Sequence, residues 1–183
     1  MNVIKTEFDG LFVFEPRVFE DDRGYFFESY NNRLLAEHGI NTLFVQDNES
    51  RSQLGTLRGL HYQISPFGQA KLVRVTSGEV IDIVVDLRKD QPTYGKSFRI
   101  QLSAENKKQM LVPRGFAHGF LCMSENTTFN YKCDNYYSKE HEGCINAFDP
   151  VLDLDWCLAH SDIIRSQKDI EAPQWGSHIP FQK

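Results

Sequence analysis

Paired cysteines, a long apolar run and an excess of basic residues are all missing from this sequence. Its four cysteines, at positions 122, 133, 144 and 157, form no C-x-x-C pair, which argues against a zinc ribbon and predicts free thiols in a reducing cytoplasm. No stretch approaches the roughly 20 apolar residues that a membrane span needs, and residues 1–7 lack the apolar core of a secretory signal. A net charge of −5, with both signs interspersed, predicts no surface for nucleic acid.

The length and the aromatic content of the chain give the first positive indications of its fold. Its 183 residues suit one domain with a sizeable hydrophobic core, which we expect to span 1–183. We find no internal repeat, low-complexity segment or interdomain linker. Fourteen Phe, seven Tyr and two Trp favour a β-rich core or a stacking site.

Short apolar and aromatic stretches separated by glycine and proline predict many β-strands and few helices. We expect strands at 11–13, 25–30, 43–48, 57–63, 71–76, 79–86, 98–102, 110–113 and 127–133. Ser77-Gly78 predicts a β-hairpin between two of them. Asn31 and Gly39 are the candidate N-cap and stop of the best helix, and a second short helix is expected near 162–168. This pattern favours an antiparallel β-sandwich or barrel, whose mouth is a common place for a small-molecule site.

The most informative stretch is 55–63, GTLRGLHYQ. A regular strand here has two faces: one carries Leu57, Gly59 and His61, and the other carries Arg58, Leu60 and Tyr62. A glycine in the middle of a strand commonly marks the close approach of a ligand or of another backbone. His61 is therefore a candidate site residue, and the alternative is a hydrogen-bonded histidine of the core.

Five motifs, in this order, resemble one family of sugar-nucleotide enzymes. They are LRGLHYQ at 57–63, KLVRV at 71–75, PRGFAHGF at 113–120, YKC at 131–133 and SQKD at 166–169. From about Gly10 to Pro173 the chain is similar to dTDP-4-dehydrorhamnose 3,5-epimerases of the dTDP-L-rhamnose pathway. The resemblance implies an all-β, cupin-type jelly roll with a few short helices. It also implies a homodimer that needs no metal and no organic cofactor.

The resemblance also implies a role for each of four catalytic positions. His61 matches the base, Asp169 its carboxylate partner, Tyr131 the proton donor on the opposite side of the sugar, and Lys71 the group beside the 4-keto oxygen. Contacts to the nucleotide sugar are implied at Arg23, Glu28, Gln46, Asn48, Arg58, Lys71, His118, Glu142 and Lys168. N-terminal strands in such dimers can contribute to the partner's site, so Arg23 and Glu28 are candidates for contacts across the interface.

These residue types suit epimerisation of dTDP-4-dehydro-6-deoxy-D-glucose to dTDP-4-dehydro-L-rhamnose. The 4-keto group acidifies the hydrogens at C3 and C5, and the reaction needs a base, a cation near the enolate and an acid on the other face. A histidine has an unperturbed pKa of about 6.5 and a tyrosine one near 10, so each suits its role at neutral pH. No electrons are transferred, and neither a dinucleotide fingerprint nor a P-loop is present.

Contacts to the nucleotide are less sharply predicted than the catalytic residues. Arg23 and Arg58 suit a diphosphate through bidentate bonds, while Tyr137 and Phe26 are candidates to stack on the thymine. Two local departures from the family pattern, at 48–50 and 144–148, bear only on such contacts.

Three alternatives stay open. A metal-dependent cupin needs two or three histidines and a carboxylate; Tyr62 and Gln63 follow His61 here, although His61, His118 and Glu142 could still gather. A non-catalytic sugar-nucleotide-binding protein could share the fold. An enzyme that epimerises only C3, or that acts on another nucleotide's 4-keto sugar, would differ by small changes in the pocket.

Overall fold

The computed structural model describes residues 1–182, and within that range strands dominate. The strands are β1 Asn2–Lys5, β2 Phe12–Glu15, β3 Phe19–Asp21, β4 Gly24–Phe26, β5 Gln46–Ser52, β6 Leu57–Gln63, β7 Lys71–Ser77, β8 Glu79–Asp86, β9 Ser97–Ser103, β10 Gln109–Val112, β11 Phe116–Cys122, β12 Thr127–Cys133 and β13 Glu142–Cys144. The α-helices are α1 Asn32–Glu37 and α2 Gln167–Ile170, and short 3-10 turns lie at Lys139–His141 and His160–Asp162. Among the described residues, neither α-helix is long and apolar enough to cross a membrane.

Two antiparallel sheets form the body of the protein. One has the order β1-β2-β10-β7-β12-β5 and the other the order β13-β6-β11-β8-β9, while β3 and β4 form a separate hairpin. Their facing sides share a core in which Val73 and Phe129 of the first sheet join Val84 and Phe120 of the second. The predicted antiparallel sandwich is therefore confirmed. Side chains alternate between the two faces of each strand, so one face packs against the opposite sheet and the second face contacts solvent or loops.

The prediction of a β-hairpin at Ser77-Gly78 is wrong. β7 pairs with β10 and β12, whereas β8 pairs with β9 and β11, so the two consecutive strands lie in different sheets. Gly78 has a φ of 74°, and a Cβ there would lie 2.3 Å from Ser124 Oγ and 2.6 Å from Thr127 Oγ1. A glycine between two strands is a signal for a tight turn. Here the turn connects a strand of one sheet to a strand of the other.

The predicted division of β6 into two faces is also wrong, because the strand contains a β-bulge. His61 pairs with His118 of β11 and Arg58 pairs with Phe120, so three steps along β6 correspond to two along β11. The extra residue reverses the alternation of side chains. Leu60 therefore joins the core cluster that also holds Leu57 and Tyr62, while Arg58 and His61 both line one cavity.

Gly59 lies at this bulge, where the backbone of β11 comes very close. A Cβ at Gly59 would lie 2.5 Å from the Cα of Gly119 and 2.6 Å from the carbonyl oxygen of His118. Its φ is 121°, which disfavours any side chain. The prediction that this glycine marks a close backbone approach is confirmed.

In the N-terminal half, the helix was predicted more accurately than the strands. The side chain of Asn31 accepts hydrogen bonds from the backbone N–H groups of Arg33 and Leu34, which caps α1 as predicted. Gly39 follows the helix with a φ of 78°. The strand predicted at 25–30 ends at Phe26, and the one predicted at 43–48 begins at Gln46 and runs on to Ser52. The helix predicted near 162–168 is shifted, since α2 begins only at Gln167.

Candidate functional site

Residues from both sheets enclose a cavity of about 450 Å³ beside the first part of β6. Its lining includes Arg58, His61, Lys71, His118, Phe120, Phe129, Tyr131, Arg165, Ser166 and Asp169. A neighbouring cavity of about 290 Å³ is lined by Gln46, Asn48, Gln63, Cys133, Tyr137 and Glu142. His61, Lys71 and Tyr131 line both cavities, so the three predicted reacting groups stand where the two cavities meet.

The imidazole of His61 contacts the carboxylate of Asp169 across 108 positions of sequence. Nε2 of His61 lies 2.5 Å from Oδ1 of Asp169. The other carboxylate oxygen, Oδ2, accepts a hydrogen bond of 2.8 Å from the hydroxyl of Ser166, which is also the N-cap of α2. An ionised carboxylate can only accept, so Nε2 carries the proton and Nδ1 of His61 is left with the basic lone pair.

The environment of Asp169 keeps its carboxylate ionised. The residue is only 3% exposed, and burial alone would raise the pKa of Asp169. The hydrogen bond to His61, the positive charge that His61 can carry, and the bond from Ser166 outweigh this effect, so the pKa lies below the usual value. The pair thus has the form of a base with an orienting carboxylate.

Lys71 and Tyr131 face each other across paired strands of the six-stranded sheet. Nζ of Lys71 lies 5.8 Å from the centre of the Tyr131 ring. Burial lowers the pKa of Lys71, although nearby Cys133, Asp82 and Glu142 oppose this shift. Burial raises the pKa of Tyr131, so its phenol holds its proton throughout the neutral range. The cavity therefore presents the amino group of Lys71 beside a protonated phenol.

A second histidine and carboxylate lie behind the same cavity. Nε2 of His118 lies 2.9 and 3.0 Å from the two carboxylate oxygens of Asp82, and both side chains are buried. The His118 ring packs beside Phe120 and Phe129, whose rings stack at 3.9 Å. His118 is therefore anchored in the wall of the larger cavity, and its contact with substrate stays a prediction. Nothing in the sequence near Asp82 predicted this partner, which is 36 residues away.

Three of the predicted contacts to the nucleotide sugar, Gln46, Asn48 and Glu142, line the smaller cavity. Nζ of Lys168 lies 2.5 Å from a carboxylate oxygen of Glu142, which also accepts a 3.0 Å hydrogen bond from the Tyr137 hydroxyl. The side-chain amide of Gln46 donates to that of Asn48 at 3.0 Å. Tyr137, one of the two candidate stacking rings, lines this cavity and is largely exposed.

Arg23, Glu28 and Phe26 do not reach either cavity within the same chain. The Arg23 guanidinium is 90% exposed and bonds to Asp21, its neighbour on the β3–β4 hairpin. Glu28 accepts a hydrogen bond from Asn31 at the start of α1. Phe26 is 66% exposed on the same hairpin. Contacts of these residues with substrate therefore stay a prediction that requires a second subunit.

The donor set that a metal-dependent cupin would use is not assembled. Among residues 1–182, no three His, Cys, Asp or Glu side chains are grouped so that they could hold a metal ion. His61 and His118 face different carboxylates, Asp169 and Asp82, and Glu142 is occupied by Lys168. The alternative set of His61, His118 and Glu142 does not gather.

Several residues of the larger cavity were not singled out from the sequence. Arg165 is charged and lines the cavity, Phe120 and Phe129 form its apolar wall, and Asp82 lies behind that wall as the partner of His118. The alternation of β11 and β12 marks the two phenylalanines as core residues, which they are, and gives no sign that they border a site. Arg165 adjoins the motif at 166–169, and only this proximity could have pointed to it.

Comparisons with known proteins agree with the motifs. The family model for dTDP-4-dehydrorhamnose 3,5-epimerase matches residues 5–177. A curated dTDP-4-dehydrorhamnose 3,5-epimerase from Pseudomonas aeruginosa is 52% identical over 170 residues, which cover 92% of this chain and 93% of that protein. The crystal structure of such an epimerase from Elizabethkingia anophelis is 49% identical, covers 96% of each chain and has a TM-score of 0.91.

A ligand complex is also among the similar structures. A dTDP-6-deoxy-D-glucose-3,5-epimerase from Legionella pneumophila, solved in complex with dTDP-4-keto-L-rhamnose, is 47% identical with a TM-score of 0.90. The match covers 94% of this chain and 92% of that one. The jelly-roll fold implied by the motifs is thus shared with solved enzymes. On this evidence, the chain belongs to the dTDP-4-dehydrorhamnose 3,5-epimerase family of enzymes.

Proposed function

We propose that His61, Lys71 and Tyr131 carry out the 3,5-epimerase reaction of this enzyme, with Asp169 orienting His61. The substrate is dTDP-4-dehydro-6-deoxy-D-glucose and the product is dTDP-4-dehydro-L-rhamnose. The observation that carries the proposal is the lining of the same two cavities by one imidazole, one lysine amino group and one phenol. The ligand named for the Legionella pneumophila relative, dTDP-4-keto-L-rhamnose, has the chemistry of this product.

The first step is removal of a proton from the carbon next to the ketone. With Nε2–H of His61 donating to Asp169, the lone pair of Nδ1 takes this proton and the imidazole becomes an imidazolium. The ionised Asp169 stabilises that charge at a contact of 2.5 Å. The low pKa of Asp169 means that the carboxylate stays ionised, so the proton stays on the imidazole and not on the carboxylate.

The enolate that results carries its charge on the former carbonyl oxygen. The ammonium of Lys71 stabilises this oxygen, and it does so strongly because a cavity poor in water screens charges weakly. Tyr131 then donates its phenolic proton to the opposite face of the carbon, which inverts the centre. His61 then releases its extra proton to solvent and Tyr131 takes one up, and repetition at the second carbon gives the doubly epimerised sugar. Only protons move, so the proposal needs neither a metal nor an organic cofactor.

The remaining predicted residues bind the nucleotide part. Glu142, Lys168, Gln46 and Asn48 contact the nucleoside end, and Tyr137 stacks on the thymine; their gathering at the smaller cavity supports this assignment. Arg58 contacts the diphosphate and His118 the sugar, since both line the larger cavity.

We extend the proposal to a homodimer of single-domain chains in the cytoplasm. The β3–β4 hairpin exposes Phe19, Tyr25 and Phe26 together with Arg23, and apolar rings of this size are normally covered by a partner. The edge strand β5 carries Gln46 and Asn48 beside the smaller cavity. A second copy placed along this edge would bring Arg23 and Glu28 to the nucleotide.

The proposal is tested by NMR of the substrate with enzyme in heavy water. We expect deuterium at both C3 and C5, together with inversion at both centres. His61→Ala should bind the nucleotide sugar but give almost no exchange, because the base is lost. Exchange at C3 alone would show a monoepimerase, and binding without any exchange would show a non-catalytic protein; each would contradict the proposal.

A further inference from the structure

Arg165 is a second guanidinium on the wall of the larger cavity. Its backbone is tied to the strand that carries Arg58. The N–H of Leu57 donates to the carbonyl of Ile164 at 2.9 Å, and the N–H of Ile164 donates to the carbonyl of Gly55 at 2.8 Å. The segment before α2 thus runs beside the start of β6, and Arg58 and Arg165 line one cavity from adjacent backbones.

The side chain of Arg165 rests on a fixed platform. Its Cζ lies 3.9 Å from the centre of the Phe148 ring, and the ring of His160 stacks on Phe148 at 3.7 Å with an angle of 2°. Two groups this close to one ring occupy its opposite faces. Nη1 of Arg165 also donates to Oδ1 of Asn146 at 3.1 Å. The platform and this single bond set the direction of the guanidinium and leave most of its five N–H donors for a ligand.

The charge of Arg165 has no close counterion in the part of the chain that the structure describes. Within residues 1–182, no carboxylate oxygen forms an ion pair with it inside 4.0 Å. Arg88, which is buried elsewhere, is neutralised by two bonds to Asp86. Burial lowers the pKa of Arg165, and the more distant Asp169 only opposes this effect. A partly buried cation without a partner gains stability when an anion binds beside it.

Arg58, which is exposed, lines the same cavity from the neighbouring strand β6. Its Nε donates to the hydroxyl of Ser52 at 3.1 Å, and within residues 1–182 it too has no carboxylate in an ion pair. Two guanidinia with unused donors therefore face one cavity whose other charged groups belong to the reaction. A diphosphate offers several anionic oxygens in a row, which two forked donors can bind at once.

We infer that Arg165 is a substrate-binding residue that, together with Arg58, holds the diphosphate of the nucleotide sugar. This inference rests on the proposed function, since it takes the same ligand in the same cavity. Its immediate rival is a positioning role, in which Arg165 acts only through the nearby Asp169. A direct hydrogen bond between Arg165 and Asp169 does not form among the described residues, and this favours contact with the ligand.

The test measures binding of dTDP and of thymidine by competition and calorimetry, at several salt concentrations. We expect Arg165→Met to weaken dTDP binding about 10- to 100-fold, as loss of a charge-assisted contact does, and to raise KM with little change in kcat. Thymidine, which lacks phosphate, should bind equally to both proteins. Arg165→Lys keeps the charge but loses the planar set of N–H donors of the guanidinium, so an intermediate loss of dTDP affinity is expected. Arg99→Met removes an exposed arginine paired with Asp155 and serves as the matched control.

The possible outcomes separate this inference from the proposed function. Wild-type affinity for dTDP in Arg165→Met, with kcat reduced, would show that Arg165 acts through Asp169 and would overturn the inference alone. Failure of the wild-type protein to bind dTDP would overturn both. Should Arg165→Met unfold, Arg165→Lys and Asn146→Ala still decide the matter, because each disturbs the donors while keeping a charged side chain at position 165.

Discussion

Replacement of Asp169 by asparagine tests the core of the proposed mechanism. The substitution keeps the size of the side chain and removes its charge. Oδ1 of Asp169 lies 2.5 Å from Nε2 of His61, and Oδ2 is held by Ser166 at 2.8 Å. An amide in this position can present its NH₂ group to the imidazole. Nε2 would then accept, Nδ1 would carry the proton, and the basic lone pair would point away from the substrate.

The size of the effect follows from what the carboxylate does. A positioned general base contributes about 10²- to 10⁴-fold to a rate, and the wrong tautomer removes this contribution. We therefore expect kcat of Asp169→Asn to fall by about 10²- to 10⁴-fold, or roughly 3 to 5 kcal/mol of activation free energy. Ser166→Ala leaves the carboxylate in place and removes one of its bonds, so a much smaller loss is expected. KM should change little in both variants.

The assay is deuterium exchange at C3 and C5, followed in parallel with product formation. Both rates should fall together in Asp169→Asn, because the base acts before the donor. Exchange within threefold of the wild-type rate would refute the role of Asp169 and leave His61 without its partner. Unchanged binding of dTDP serves as the check that the cavity is intact.

The same carboxylate also makes stability depend on pH. The pKa of Asp169 is lower in the folded protein than its ordinary value, so its ionisation stabilises the fold above about pH 4, the value in an unfolded chain. That contribution is lost as the pH falls through the lower, folded-state pKa. The difference in melting temperature between wild type and Asp169→Asn should therefore shrink on acidification below pH 4.

Three further substitutions address the donor, the cation and the bulge. Tyr131→Phe should slow epimerisation far more than exchange, because the enolate still forms; equal loss of both would count against a donor role. Burial lowers the pKa of Lys71, so activity should decline at a lower alkaline pH than it would with an ordinary lysine. Lys71→Arg should move this decline to higher pH. If the decline stays at the same pH in Lys71→Arg, another group causes it. Gly59→Ala should cost about 3 kcal/mol or more in urea unfolding, whereas Gly24→Ala, with a φ of 122° and nothing within 4 Å of its Cβ, should cost clearly less.

Elements whose signals are local in sequence were predicted well. Asn31 caps α1 by bonding to backbone groups two and three residues ahead, so the residues that decide the helix are neighbours in the chain. Ser77-Gly78 is also a local signal, and it correctly predicts a tight turn. The choice between a hairpin and a corner depends on which distant strands compete for β7 and β8, and no local pattern contains that information.

The site was predictable only in part, because its residues come together from distant positions of the sequence. The contact between His61 and Asp169 spans 108 positions, and only the ordered motifs of the family brought the two together. Asp82 and Arg165 lie outside the residues to which those motifs give a role. Their functions follow from what they face, a buried imidazole and an open cavity, and these surroundings exist only in the folded chain.

The bulge in β6 shows how the fold and the chemistry depend on each other. Arg58 and His61 are three residues apart, so a regular strand would place them on opposite faces. The extra residue at Gly59 and Leu60 brings both side chains into one cavity, while Leu60 turns into the core. The guanidinium proposed to bind phosphate and the proposed general base are thereby fixed on one strand, at a spacing that a regular alternation would forbid. Any change that straightens this strand would separate substrate binding from proton abstraction, even with both residues still present.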